Sequence, residues 1–536
     1  MNGASDAATA ADEAKLKPSD WKLDWVAELF HNSHIFLNSH RLEFISSRDP
    51  TQRTLSSILQ MPSLRSLFNR VFKKGRRNQG QAPVTQSNQQ GAATRGNAST
   101  NTQHATPKTE TSQVPTEQTK AQGLDQSNQK SLVPTQERVA ATASTLTVSL
   151  VNQTSSSTVY TYITGYAINN NNALVLLQSD GQTLYYPTNP SSNGSPLQAN
   201  CAIPLGPPGE SVNCTIPQIA GGRVWFSVNS PITFLLNPSP TGPALVEPSV
   251  TNPSDPNINI QWDFCEFTFN SSQLYANISY VDFVSLPIGL QLTNISGAVQ
   301  TVTGMPPTGL ASVCSQLQAQ TASDGIQGWS NCIVNYNGSP LRTLSPNQDL
   351  VVHPSDFSNY FEPYVSQVWS QYTSKTLNVN VSGMTSPGTV TSVTTSNGTT
   401  EQELVFNVTV NPSVGTDSST EAFTPPTTAD IFSCSTGPFA TGSDATRNAI
   451  IAQLASAFNR TTLLETNTIP SPLEDFYKNG ITNHYARIVH GVNVDGRGYA
   501  FPYDDVNPSD AGDQSGEVND PNPMKWVIYV GGGQLS

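Results

Sequence analysis

The stretch Gln261–Leu290, QWDFCEFTFNSSQLYANISYVDFVSLPIGL, decides how the rest of the chain is read. From Trp262 to Asn270 the even positions carry Trp, Phe, Glu, Thr and Asn, and the odd positions Asp, Cys, Phe and Phe, the period-2 pattern of a strand. Asn270-Ser271-Ser272-Gln273 supplies turn chemistry, and Tyr275 to Val284 continues as a second run rich in aromatic and β-branched residues. Each run holds one carboxylate in apolar company: Glu266 between Cys265 and Phe267, Asp282 between Val281 and Phe283. A carboxylate so placed carries a desolvation penalty that something must offset.

Residues opposite one another across an antiparallel pair share a sheet face. Glu266 and Asp282 meet that way only if the connecting loop has an odd count; three or five residues centred on Leu274 would serve, and two would send them to opposite faces. Directly opposite, their Cβ atoms would lie roughly 5 Å apart. Carboxyl groups splayed from there could reach either the retaining or the inverting separation for glycoside hydrolysis, so spacing does not choose. From this stretch alone the plainer reading is favoured: one ion-paired structural acid and one surface acid.

Charge is unevenly spread. Residues 1–140 hold 17 basic against 12 acidic side chains, leaving 9 basic against 27 acidic in 141–536, a net of −18 for the body. A body so poor in Lys and Arg excludes nucleic acid and anionic membrane as partners, because both are bound through counterion release. Neutral polymers such as glucans are better ligands, and a monomer is expected. Seven histidines, three of them early (His31, His34, His40), argue against zinc, and no cofactor or metal is expected. Asp495, Asp510, Asp513 and Asp520 lack the D-x-D-x-D-G spacing of a calcium loop.

All six cysteines (Cys201, Cys214, Cys265, Cys314, Cys332, Cys434) lie in the acidic body, and Asn-x-Ser/Thr triplets recur, among them Asn152, Asn277, Asn294, Asn407 and Asn459. Together these favour disulfides, glycosylation and an extracellular setting. The opening MNGASDAATAADEAKLKPSDW shows no charged region followed by an apolar run, so no secretory leader is expected there. No stretch of apolar residues is long enough for a membrane-spanning helix.

In chain order, residues 1–77 read as an arm with short helical segments. Within it Leu64, Leu67, Phe68 and Phe72 share a helical face ahead of Lys73-Lys74-Gly75-Arg76-Arg77. Residues 78–140 are a Ser/Thr/Gln/Pro-rich linker that cannot bury enough to fold. The body, 141–536, begins with short alternating runs between turn residues, TLTVSLVNQT to ITFLL, as in an all-β sandwich or barrel. Helical spacing predicts helices over Thr308–Ala322, over Asp356–Thr373 with Asp356 as N-cap, and over Ser443–Asn459 with Ser443 as cap. Strands return at Thr376–Gly383 and Glu403–Val410. The expected architecture is mainly β: a β-sandwich or barrel lobe (about 144–304, 376–428 and 485–536) with a smaller α/β lobe (about 305–375 and 429–484) and an open groove between them. Near the C-terminus, Tyr499, Phe501 and Tyr503 alternate as on one strand face, closed by Asp504-Asp505. Aromatic faces beside carboxylates suit sugar rings, and equally suit a core-facing strand with solvated end acids.

The hairpin WDFCEFTF…YVDFVSLPIGL, the segment DIFSC, the helix AIIAQLASAFNR, and above all YARIVHG…DGRGYAFPYDDV…SGEV…GGG resemble glycoside hydrolase family 64, over about Ser144 to the C-terminus. That resemblance implies a thaumatin-like fold and an endo-acting, inverting β-1,3-glucanase. It implies Glu266 as general acid and Asp282 as general base, with β-1,3-glucan (laminarin or cell-wall glucan) as partner. By the same analogy Thr268 and Asn270 face the sugar, with Tyr275 and Tyr280 nearby; the local aromatic and acidic pattern adds Tyr499, Phe501, Tyr503, Asp504 and Asp505 as candidate substrate contacts. Glu266 would protonate the glycosidic oxygen while Asp282 deprotonates a water on the opposite face of the ring. The alternative is a thaumatin-like protein that binds β-glucan without cleaving it. A glycan on Asn270, which begins Asn-Ser-Ser, would block the expected groove.

Overall fold

The computed structural model describes residues 144–381, 384–394, 400–410 and 419–533. The arm and linker expected over 1–77 and 78–140 lie outside the described residues. Two β-sheets face each other. One has five strands in the order Val299–Val302, Ile288–Asn294, Pro523–Val530, Thr145–Asn152, Ser211–Pro217. Thr145–Asn152 runs parallel to Pro523–Val530, so the two ends of the body close this sheet against each other. The second sheet, of eight strands, has Glu517–Asp520, Leu274–Ile278, Gln261–Phe269, Ile219–Val228 and Val159–Ala167 at its centre.

Period-2 alternation on Gln261–Phe269 builds the core on one side of this strand and a second cluster on the other. Cys265, Phe267 and Phe269 point between the sheets, where they join Val148, Leu150, Val224 and Phe226. Phe267 reaches Trp526 of the opposite sheet, ring centroids 5.2 Å apart. Gly222, cross-strand from Phe267, is required because that ring occupies the space a Cβ would take. Trp262 and Phe264 point the other way, into a separate cluster with Tyr162, Trp225, Phe234 and Leu236.

The longer helices are Gly309–Asp324, Pro346–Val352, Glu362–Tyr372, Ala445–Arg460 and His484–Val492. Several differ from the sequence reading. Asp356 caps nothing; Phe357 and Asn359 adopt left-handed backbone (φ 57 and 56) that a helix cannot continue through, and the helix starts at Glu362. Asp444, one residue after Ser443, is the N-cap of the Ala445–Arg460 helix, accepting from the amides of Thr446 at 2.9 Å and Arg447 at 3.1 Å. The strands of 376–428, expected in the β lobe, instead form their own five-stranded sheet with Thr468–Ile469. The 485–536 segment opens with a helix before it returns to strands.

All six cysteines are buried free thiols, which corrects the expectation of disulfides. They are distributed across the packed interior, where burial of a small apolar side chain accounts for them. Cys265 lies between the sheets, Cys201 in the Trp225 cluster, and Cys434 beside Asn459 with Nδ2 at 3.2 Å from its sulfur. Asn152, Asn277 and Asn459 are themselves buried, so those three triplets present no side chain to a glycosylating enzyme in the folded chain. No helix among the described residues is long and apolar enough to cross a membrane.

His484 opens its helix against Trp329, ring centroids 5.3 Å apart. Its Nδ1 accepts from Arg487 Nε at 3.1 Å, and its Nε2 faces the Gly480 carbonyl oxygen at 3.2 Å. Burial first, then the Arg487 charge, push its pKa down to about 4. The unfolded chain takes up this proton near pH 6.5, the folded chain only near 4. Between those values the unfolded state binds more protons, so stability falls as pH falls, by up to roughly 3 kcal/mol. Urea midpoints between pH 7 and 4.5 should therefore decline less steeply in His484→Gln than in wild type; equal slopes would count against this.

Candidate active site

Strand register brings together residues far apart in the sequence. Thr164 pairs with Arg223, Arg223 with Glu266, Glu266 with Asn277, and Asn277 with Glu517. These five polar residues form one rung across five strands, and cross-strand partners share a face. Two residues along the strands lies the apolar rung Tyr162–Trp225–Phe264. Two residues the other way, Thr268 pairs with Tyr275, and Tyr275 with Asn519. The face therefore changes within two residues of strand from a sealed aromatic cluster to a polar surface. Thr268, Tyr275 and Asn519 there are half-buried, and Tyr166 of the neighbouring strand is 47% exposed.

Arg223 is the cation at the centre. Its guanidinium lies 4.8 Å from the Phe264 ring centroid and 5.5 Å from that of Trp225. It pairs with Glu247 through Nη1, and its Nε is 3.2 Å from Glu266 Oε1. Burial works against its charge, but Glu247, Glu266 and Asp282, in that order, outweigh burial and hold its pKa above the ordinary value. Arg223 thus lies within electrostatic reach of both predicted carboxylates. Cation–π contact with two rings and a bidentate-capable fork explain why arginine suits this position better than lysine.

Glu266 and Asp282 arrive differently from the hairpin expectation. The Asn270–Gln273 loop has an even count, and Glu266 faces Asn277, not Asp282. Asp282 lies beyond the end of the Leu274–Ile278 strand, past a bridge from Ser279 to Tyr499 and just before Phe283–Val284 pairs with Ser339–Leu344. It is half-buried. Its backbone oxygen accepts from the Ser345 amide at 2.8 Å, and its Oδ1 from Gln348 Nε2 at 2.7 Å. The Pro346–Val352 helix therefore holds Asp282 at both backbone and side chain.

Of the other expected site residues, Thr268 and Tyr275 stand beside Glu266 on the same face. Tyr499 pairs its hydroxyl with Asp505, and burial raises the pKa of both groups. Five of the expected residues are engaged or enclosed by the protein itself. Asn270 Oδ1 is engaged by the amides of Ser272 and Gln273 in the turn. Tyr280 is 1% exposed and Phe501 2%, both packed in the core. Tyr499, Phe501 and Tyr503 form no strand: the segment is a turn in which Tyr503 has φ 65 and packs against the core. Asp504 is buried with Arg460 Nη2 at 2.8 Å and His490 Nε2 at 2.9 Å, an ion cluster inside the protein. Burial acts to raise Asp504, and His490 and Arg460 outweigh it, leaving the carboxyl below its ordinary range.

Sequence reasoning missed Arg223, Asn277 and Glu517. Arg223 carried a usable signal, a lone charge inside the apolar strand GRVWFSV, of the same kind that singled out Glu266. Glu517 receives Asn519 Nδ2 at 2.8 Å and the Tyr275 hydroxyl; burial and then Asp513 raise its pKa. Asn277 Oδ1 is buried without a hydrogen-bond donor between Glu266 and Glu517.

A sequence model of glycoside hydrolase family 64, described as β-1,3-glucanase, matches residues 144–530. Among similar proteins, a glucan endo-1,3-β-glucosidase of Cellulosimicrobium cellulans is 28% identical over 323 residues, covering 60% of this chain and 54% of the relative. One of Arthrobacter sp. (strain YCWD3) is 27% identical over the same length. The chain thus spans about half the length of the curated relatives it matches. A laminaripentaose-producing β-1,3-glucanase, solved in complex with laminaritetraose, superposes with a TM-score of 0.60 at 27% identity, covering 72% of this chain and 98% of that one. The β-1,3-glucanase domain of Clostridium beijerinckii, 22% identical with a TM-score of 0.54, shares the fold. With most of the body matched from its first strand to its last, and with a mainly β fold in common, the chain belongs to glycoside hydrolase family 64.

Proposed function

We propose that this protein is an endo-acting β-1,3-glucan hydrolase that inverts anomeric configuration, with Glu266 as general acid and Asp282 as general base. The observation that supports the reading is Arg223, whose Nε lies 3.2 Å from Glu266 Oε1 and whose charge is held up by Glu247 first, then Glu266, then Asp282, so that both acids are within its electrostatic reach. In the inverting scheme Glu266 gives its proton to the glycosidic oxygen as the bond to the anomeric carbon breaks. Asp282, oriented by Gln348, takes a proton from the water that attacks the opposite face. Family membership supports β-1,3-linked glucose as the substrate class, and the curated relatives are endo-1,3-β-glucosidases. Thr268 and Tyr275 offer hydroxyls and a ring face beside Glu266, and Tyr166 is exposed nearby on the same sheet.

A second reading, a non-catalytic β-glucan-binding protein, draws on the Glu266–Arg223 pair, which satisfies the glutamate without any chemistry. Incubation with laminarin, followed by reducing-end release and by proton NMR of the newly formed anomer, separates the two. Release of α-configured ends supports the proposal. Retention on insoluble glucan with no release supports binding alone, and β-configured ends reject inversion.

A further inference from the structure

We propose that Asp349, His353 and Asp356 form a binding site for a divalent first-row transition cation, such as Mn²⁺ or Zn²⁺, at the end of the helix that holds Asp282. Asp349 lies in the first turn of Pro346–Val352, His353 is the residue just past its end, and Asp356 follows one turn later, its amide donating to the His353 oxygen at 3.0 Å. One ligating atom from each residue lies within 4.8 Å of the other two. The side chain of Asp349 is fully buried; its Oδ1 is 2.8 Å from His353 Nδ1, while its Oδ2 is buried with no hydrogen-bond donor. An orphaned carboxylate oxygen at zero exposure is costly unless a proton or a cation meets it.

The surroundings favour a cation. Asp356 places a second carboxylate beside the buried one of Asp349, so two acids and one imidazole converge on the same point. Asn331 Nδ2 donates to Asp356 Oδ2 at 2.7 Å and so fixes the orientation of the second carboxylate. The 2.8 Å between Oδ1 and Nδ1 is close to the ~3 Å that separates adjacent ligands in an octahedron with bonds of about 2.1 Å. His353 is 46% exposed, which leaves one side open for water to complete the coordination. Calcium takes six to eight oxygens, whereas one imidazole with two carboxylates suits a borderline first-row cation. The scarcity of histidine that argued against zinc is a statement of number; a site needs only one imidazole in the right place.

The site adjoins the proposed chemistry through two residues. Gln348, the neighbour of Asp349, donates to Asp282 Oδ1, and Ser345 both donates to the Asp282 oxygen and accepts from the Asp349 amide at 2.8 Å. A cation on Asp349 would brace the turn that orients Asp282. This consequence rests on the glucanase reading; the binding itself does not.

The test uses the full chain, stripped with a chelator, and titration with MnCl₂ followed by the electron paramagnetic resonance signal of free Mn²⁺ and by calorimetry with ZnCl₂. One cation per chain is expected, with affinity lowered at least ~10-fold in Asp349→Asn and in His353→Ala, each lost ligand costing on the order of a factor of ten or more. His353 is half-exposed, so that variant folds even if Asp349→Asn does not. A melting temperature raised by Mn²⁺ in wild type and unmoved in His353→Ala is the matching result. No stoichiometric binding, or equal binding in both variants and wild type, overturns the site and leaves a shared proton between Asp349 and Asp356. Binding intact with no laminarin hydrolysis counts against the glucanase reading and leaves the cation site standing.

Discussion

Glu266→Gln and Asp282→Asn should each lower kcat on laminarin by roughly 10²–10⁴-fold, the range that a positioned acid or base contributes. Both substitutions keep volume and hydrogen-bonding capacity, so the melting temperature should move little. Glu266→Gln leaves Arg223 paired with Glu247, and Asp282→Asn leaves an amide oxygen for Gln348 to meet. The two losses should not add in the double variant, because acid and base assist one transition state. Initial rates of reducing-end formation give the effect; pull-down on insoluble glucan, unchanged in both variants, shows that binding survives. Activity within a few-fold of wild type in either variant removes that residue from the mechanism. If Asp282→Asn alone is active, Glu517 becomes the acid to test, since it stands on the Glu266 rung with Asn277 between them.

Asp504→Asn should destabilise the protein by about 3–5 kcal/mol, the effect of leaving a buried charge without its partner. Asp504 is 0% exposed and holds Arg460 on Oδ1, with His490 and the Ala500 amide on Oδ2. Arg460 is 2% exposed, donates to the backbone oxygens of Val506 at 2.6 Å and Asp504 at 2.8 Å, and packs its guanidinium 4.4 Å from the Phe476 ring centroid. An amide at position 504 keeps the shape and removes the charge that compensates this arginine. Urea unfolding at pH 7 should show the loss as a lower midpoint with an unchanged slope. Replacing both partners, Arg460→Met with Asp504→Leu, should recover part of it, because no uncompensated charge remains. A midpoint close to wild type combined with weakened glucan binding would return Asp504 to the sugar-binding role expected from the sequence.

That pair of outcomes marks where local pattern stops being informative. Tyr499, Phe501 and Tyr503 alternate as a strand would, yet alternation reports only which side chains could share a face. Left-handed backbone at Tyr503 and the bonds from Arg460 and His490 to Asp504 turn the segment into a loop. Both partners lie on helices elsewhere in the chain, Ala445–Arg460 and His484–Val492. Helix starts shifted for a similar reason: Asp444 outcompetes Ser443 as cap because its Oδ1 reaches two amides. The even cysteine count suggested bridges, but pairing depends on where the fold carries each thiol, and all six are free and buried.

The sequence by itself determined the two-faced strand of Gln261–Phe269, the mainly β architecture around it, and Glu266 as a carboxylate out of place in its neighbourhood. Those properties follow from side-chain period and desolvation, which act within a few residues. Only the tertiary structure decided that Arg223, Asn277 and Glu517 share a rung with Glu266, and that a short helix starting at Pro346 grips Asp282. Sheet register and helix docking set those neighbours, and both are settled by burial of the whole core rather than by the residues that end up side by side.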